Sequence, residues 1–103
     1  MPGIEYRRET LKLTPPHVKQ ARGLVARGEV VGFCIEWADE TCQGLVLRIS
    51  RTAATWYLRL RAKTFRLGTI ETLTLEQARN QAHHARATFK AGKNPRFGLE
   101  VYQ

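Results

Sequence analysis

Four cations lie close together in the segment WYLRLRAKTFRLG, residues 56–68: Arg59, Arg61, Lys63 and Arg66. Apolar residues alternate with them, which is typical of β-strands that bury only one face. An arginine guanidinium is planar and donates paired hydrogen bonds, so it suits bidentate recognition of phosphates and of guanine edges. The segment therefore predicts a sheet with one face that meets a polyanion.

The composition of the whole chain agrees with a polyanionic partner. Its 17 Lys and Arg exceed its 9 Asp and Glu, which gives a formal net charge of +8. Such a balance in a small domain favours nucleic acid, although membrane surfaces also attract basic proteins. A length of 103 residues allows one domain with a small core, and 43% hydrophobic residues argue against a wholly disordered chain.

The sequence predicts a cytoplasmic protein without a membrane anchor. No apolar run approaches the roughly 18 residues needed to span a bilayer, and the charges of residues 1–8 precede no apolar signal segment. Cys34 and Cys42 do not form a CxxC pair. We expect both to be reduced thiols in or near the core, without a disulfide or a bound metal.

Apolar alternation predicts the strands of an α+β domain. Three short segments with close connections predict a three-stranded antiparallel sheet, and a similar pattern before them predicts an additional strand. The predicted strands are residues 29–37, 44–50, 55–61 and 64–68. An antiparallel sheet of this size buries one face only, so the other face is open to a partner.

Two helices are predicted to flank these strands. Thr14 followed by two prolines predicts the start of a short helix that ends before Gly28. Thr74 and Gln77 form a capping-box pattern at the start of a C-terminal helix. The second helix has an apolar stripe that predicts its packing on the sheet, made of Leu75, Ala78, Ala82, Ala85 and Phe89.

The face of the sheet opposite this helix is predicted to carry the binding residues. Between Thr41 and Ile70 there are six cations and no acid, whereas a merely solvated face usually mixes both signs. The predicted DNA-binding residues are Arg48, Arg51, Tyr57, Arg59, Arg61, Lys63, Thr64 and Arg66. A small antiparallel sheet fits the major groove of B-DNA, where arginine pairs with guanine.

Several linked motifs resemble one family. Asp39, GLVLRI (44–49), TWYLRLR (55–61), RLG (66–68) and LTLEQARNQA (73–82), with AGKNP at the end of the helix, resemble the N-terminal arm-type DNA-binding domain of phage and genomic-island tyrosine integrases. The resemblance covers residues 14–95. It implies a three-stranded sheet packed on a C-terminal helix and binding of attachment-site arms, with Arg48, Tyr57, Arg59, Arg61 and Arg66 facing the DNA.

The resemblance also implies a domain organisation. Residues 1–13 are expected to be a flexible basic segment, 14–95 the DNA-binding domain, and 96–103 the start of a linker to a downstream catalytic domain. Family members belong to prophages and other mobile elements, and their tyrosine nucleophile lies in that separate domain. Tyr6, Tyr57 and Tyr102 have no Arg and His constellation of that kind, so no catalytic residue is predicted here. Other integrase protomers are expected partners of the full-length protein.

Other chemistries find less support in the sequence. His83 and His84 are adjacent, so on a helix they diverge by about 100°, and no metal site or other cofactor is predicted. Trp37 and Trp56 fall on the apolar alternation and are expected in the core.

The competing interpretations are a stand-alone RNA- or DNA-binding module and a protein–protein adaptor. A single-strand binder would need several exposed aromatic rings, and an adaptor would need an exposed apolar patch. No small-molecule ligand and no membrane is expected as a partner.

Overall fold

The computed structural model describes residues 6–28, 34–60, 63–90, 92 and 100–102. Within these residues the chain forms six strands and two helices. In chain order these are β1 (Tyr6–Leu11), α1 (Pro15–Ala26), β2 (Cys34–Asp39), β3 (Leu45–Ile49), β4 (Ala54–Leu60), β5 (Lys63–Thr69), α2 (Leu75–Lys90) and β6 (Glu100–Tyr102). The protein is therefore α+β, and both predicted helices are present.

The six strands of the described chain join one mixed sheet in which neighbours in sequence are also neighbours in space. From β2 to β5 the strands form an antiparallel meander, and β6 continues it along β5. In contrast, β1 pairs in parallel with β2, and α1 lies between them in the chain. The predicted three-stranded sheet is thus the centre of a larger sheet. The additional strand predicted at residues 29–37 corresponds to β2, with residues 29–33 outside the described chain.

The two outer strands are the part of the sheet that the sequence does not predict. β1 lies in the segment expected to be flexible, and its residues 8–10 are exposed and polar, so they show no apolar alternation. β1 joins the sheet through parallel backbone pairing with β2. β6 is only three residues long and falls within the expected linker. An edge strand has one neighbour and needs little apolar surface, so composition reveals it poorly.

Both helices pack on the same side of the sheet, here termed the helix face. Ala78, Ala82 and Ala85 of α2 are completely buried, and Ala21 of α1 joins the same cluster. The small side chains let α2 lie close to the strands, as the stripe predicts. Among the apolar residues of the predicted strands and of the α2 stripe, Leu60 and Phe89 are half-buried. The buried ones include Leu45, Leu47, Ile49, Trp56, Leu58, Phe65, Leu67, Leu75 and Ala82.

Side-chain hydrogen bonds fix the start of each helix. The predicted capping box of α2 is present: the Thr74 N–H donates to Gln77 Oε1 at 2.9 Å, and the Gln77 N–H donates to Thr74 Oγ1 at 3.1 Å. At α1 the Thr14 N–H donates to His17 Nδ1 at 3.0 Å. The His17 ring also meets the Trp37 ring edge-on, with centroids 5.7 Å apart. His17 therefore joins the first turn of α1 to β2.

The turn between β2 and β3 brings the chain close to β4. Gly44 has φ +88°, and its carbonyl oxygen accepts the Arg59 N–H at 2.8 Å. A Cβ at this position would lie 2.7 Å from the Arg59 carbonyl oxygen, closer than real Cβ atoms come. Both the positive φ and the close backbone approach require glycine here. The backbone at Arg59, a predicted DNA-binding residue, is thereby fixed.

Candidate nucleic-acid interface

The sheet side opposite the helices carries most of the predicted binding residues and is termed the arginine face. Its described predicted members are Arg48, Tyr57, Arg59, Thr64 and Arg66. The register sets Tyr57 opposite Arg66, and Arg59 opposite Thr64. Side chains that lie opposite each other on paired strands share a face, and the buried Trp56 and Leu58 take the other side. The assignment of inward and outward residues on β4 and β5, inferred from the alternation, is therefore confirmed.

A buried carboxylate lies among these arginines. The Glu36 side chain is 0% exposed, and its Oε2 accepts hydrogen bonds from Arg48 Nε at 2.9 Å and from Arg59 Nη2 at 2.7 Å. Arg48 Nη2 lies 2.8 Å from the same oxygen. Arg8 Nε lies 4.0 Å from the other oxygen, Oε1. One acid thus binds the guanidinium groups of two predicted DNA-contacting arginines.

Sequence reasoning missed Glu36 because it considered only residues between Thr41 and Ile70. The acid is on β2, and antiparallel pairing sets it directly opposite Arg48. A signal was available: Glu36 stands between Ile35 and Trp37, at the position of that strand that faces away from the core. Without the register of β2 against β3, however, the sequence does not show which arginine the acid meets.

The Glu36 carboxylate orients Arg48 and Arg59 on the arginine face. Arg59 belongs to β4, so its side chain spans β3 to reach the acid on β2. The Arg48 guanidinium carbon lies 4.8 Å from the centroid of the Tyr57 ring, a cation–π distance. Arg48 is 38% exposed and Arg59 26% exposed at the side chain. Both side chains are therefore bound to the acid and remain partly exposed.

The remaining predicted site residues lie around the rim or outside the described chain. Arg51 is exposed in the turn between β3 and β4. Lys63 is half-buried and pairs with Leu60, so the register places it on the helix side at the end of the sheet. Arg61 lies outside the described residues. The structure therefore brings five of the eight predicted residues together on one face.

A second buried carboxylate holds the sheet against α2. Arg79 donates to Asp39 through Nε at 2.8 Å and through Nη2 at 3.2 Å, and its Nη2 also donates to the Leu13 carbonyl oxygen at 2.8 Å. Asp39 Oδ1 accepts the N–H groups of Leu13 and Thr41 at 3.3 and 3.1 Å. The hydrogen bond to Asp39 raises the pKa of Arg79, which keeps the arginine charged. This pair positions the strand that carries Glu36.

The two cysteines are buried thiols, as the sequence predicts. Burial raises the pKa of Cys34, an effect that the nearby Arg48 partly offsets. Burial likewise raises the pKa of Cys42, with Arg86 acting in the opposite direction. Both groups therefore carry a proton at neutral pH and are poor nucleophiles.

Other candidate features of the described residues lead to no further site. His83 and His84 are exposed on α2, in agreement with a solvated polar face. Among the residues that the structure describes, no group of His, Cys, Asp and Glu is arranged to hold a metal ion. No helix in this part of the chain is long and apolar enough to cross a bilayer.

A helix-backed sheet with an arginine-rich outer face is the architecture of a sheet-type nucleic-acid-binding domain. The family model of the arm DNA-binding domain matches residues 13–98. The chain therefore belongs to the family of arm-type DNA-binding domains of phage integrases. DNA is its partner, and the domain is non-catalytic. Neither a curated protein nor a solved structure matches the chain.

Proposed function

We propose that the chain binds duplex DNA sequence-specifically through the arginine face and places a phage-type integrase on the arms of its attachment site. The full-length protein is then a tyrosine recombinase of a prophage or another mobile element, acting in the cytoplasm. Its catalytic residues lie outside this sequence, and its other protomers bind neighbouring arm sites. Family membership supports DNA as the partner and the role in an integrase, and the arginines on one side of the sheet support the binding surface.

The observation that carries this proposal is the clustering of guanidinium groups on the side of the sheet that the helices leave uncovered. Arg48, Arg59 and Arg66 lie there together, beside Tyr57. Guanidinium groups suit both phosphate oxygens and the O6 and N7 atoms of guanine. We propose that Arg51, which is exposed between β3 and β4, contacts the sugar–phosphate backbone. Lys63, at the start of β5, and Arg61 are further proposed contacts.

A competition gel shift tests the choice of partner. The chain is bound to a labelled random 20-base-pair duplex, and unlabelled duplex DNA, single-stranded DNA and double-stranded RNA compete for it. We expect duplex DNA to compete best, because on β3, β4 and β5 the arginine face presents a single ring, Tyr57, among three arginines, whereas single strands stack on a series of rings. Equal or better competition by single strands or by RNA would overturn the proposal in favour of an RNA- or single-strand-binding module.

Two variants with the same charge change locate the DNA-binding surface. Arg66→Ala removes a cation of the arginine face, and Arg22→Ala removes an exposed cation of α1 that pairs with Glu71 at 3.2 Å. We expect only Arg66→Ala to weaken binding of the random duplex. A larger loss from Arg22→Ala would mean that the helix side binds DNA.

Footprinting tests the integrase role. On the attachment region of the element that encodes the chain, we expect protection at sites that flank the strand-exchange site. Protection of the exchange site alone would contradict a role as the arm-binding domain.

A further inference from the structure

We propose that Glu36 is a positioning residue for DNA recognition: its buried carboxylate orients Arg48 and Arg59 before DNA arrives. This inference rests on the proposed function of the arginine face. The carboxylate is completely buried, and the two arginines reach one of its oxygens over distances of 2.7 to 2.9 Å. They come from different strands, so a single acid fixes two guanidinium groups relative to each other.

The geometry at Arg48 leaves part of the guanidinium available to DNA. Nε and Nη2 point at the Glu36 carboxylate, which leaves Nη1 and the second N–H of Nη2 as a donor pair at the end of the planar group. The Tyr57 ring holds the plane of this guanidinium at 4.8 Å. A guanidinium fixed on two sides loses less conformational freedom when it binds a base edge. Fixed orientation improves discrimination between sequences, because a rigid donor pair cannot readjust to a wrong base.

The same carboxylate limits attraction to DNA of any sequence. Three arginines surround one acid, so the cluster contributes two net positive charges rather than three. Attraction to phosphates grows with the number of cations that replace counterions. Glu36 therefore lowers general DNA affinity while it raises the preference for one sequence.

Glu36→Gln separates these two effects because it keeps the side-chain volume and removes the charge. The wild-type chain first selects a preferred duplex from a random 20-base-pair pool, and binding to this duplex and to a scrambled version is then measured at several salt concentrations. For the variant we expect about fivefold tighter binding of the scrambled duplex near 0.1 M salt. The slope of log affinity against log salt concentration, here termed the salt slope, should be steeper by about 0.9. The preference for the selected duplex should fall about fivefold.

Glu40→Gln is the matched control, because Glu40 is exposed in the turn after β2 and has no described contact with these arginines. It makes the same charge change and should leave the sequence preference as in the wild type. If Glu36→Gln weakens binding of both duplexes by the same factor, Glu36 has a structural role only and the inference is wrong. If the wild-type chain itself prefers single strands, the proposed function fails instead.

A measurement on the wild-type chain keeps the inference testable even if Glu36→Gln does not fold. In an NMR experiment without DNA, the Nε–H proton of Arg48 should exchange with water much more slowly than that of the exposed Arg51. Exchange of the Arg48 proton as fast as that of Arg51 would show that the carboxylate does not hold the guanidinium. This result would refute the positioning role whatever the DNA preference.

Discussion

The guanidinium of Arg79 and the carboxylate of Asp39 form two hydrogen bonds, of 2.8 and 3.2 Å, between α2 and the end of β2. The Asp39 side chain is 0% exposed and the Arg79 side chain 24% exposed. The same aspartate accepts the backbone N–H groups of Leu13 and Thr41. One ion pair therefore joins the helix, the entry to α1 and the β2–β3 turn.

Loss of the cation of this pair should destabilise the fold. Arg79→Met keeps much of the side-chain length but leaves the Asp39 carboxylate buried without its positive partner, at a cost of about 3 kcal/mol in the free energy of unfolding. Urea denaturation measures this quantity. Arg22→Met is the control, because it breaks the half-exposed pair with Glu71 and should cost at most about 0.5 kcal/mol. Similar losses of unfolding free energy in both variants would show that the Arg79–Asp39 pair does not stabilise the fold.

Substitutions on the arginine face and at its rim should have different effects. Arg59→Ala removes a group proposed to reach base edges, so it should cost about 1–3 kcal/mol on the selected duplex and much less on a scrambled one. Arg51→Ala removes a group proposed to contact phosphate, so it should weaken both duplexes alike and reduce the salt slope by about 0.9. Titrations of both duplexes over a range of salt concentrations distinguish the two outcomes. Equal losses for Arg59→Ala on both duplexes would make the face an electrostatic platform without sequence readout.

Comparison with Gly92 separates the cost of a steric clash at Gly44 from the cost of its positive φ. The two glycines have similar positive φ angles, +88° and +84°, but a Cβ at Gly92 would meet nothing within 4 Å. Alanine should cost about 1 kcal/mol at Gly92 from backbone strain alone. At Gly44 the clash with the Arg59 carbonyl oxygen should add about 1–3 kcal/mol. Equal melting temperatures of the two variants would show that the β2–β3 turn moves aside at no cost.

The buried thiols should make stability fall at alkaline pH. The folded pKa values of Cys34 and Cys42 are raised above the ordinary value of 9.0. The unfolded chain therefore releases these protons first, and stability that is complete below pH 9 declines as pH rises toward the folded pKa values. The Cys34→Ala, Cys42→Ala double variant should lose this decline in urea denaturation series between pH 7 and 10. An unchanged pH profile in that variant would assign the decline to other groups.

The sequence predicts those features of the fold that depend on local periodicity. Alternation in β3, β4 and β5 predicts which side chains face the helices, and the stripe of α2 predicts its packing face, because both patterns repeat along a single segment. Alternation does not predict burial on the other face, where Val46 is 2% exposed. Thr74 and Gln77 likewise lie three residues apart on one turn. In each case the information is contained within a few neighbouring residues.

The features that the sequence did not predict depend on register between distant segments. Glu36 and Arg59 are 23 residues apart, and Asp39 and Arg79 are 40 apart. Their charges are visible in the sequence, but their pairing depends on which strand lies beside which and at what offset. A strand shifted by one residue would place Glu36 on the helix face instead. The pairing of Glu36 with the arginines is therefore a consequence of tertiary structure.

The strand order also determines how the chain can fold. Each strand pairs with its neighbours in sequence, and from β2 to β5 the connections are short turns, so the central meander closes only small loops. β1 and β6 are each separated from their partner strand by a helix. We expect the meander to form first and the two edges to join last, and in native-state hydrogen exchange amides of β1 should open before those of β3 and β4. Protection of β1 equal to that of β4 would instead indicate that the whole sheet opens as one cooperative unit.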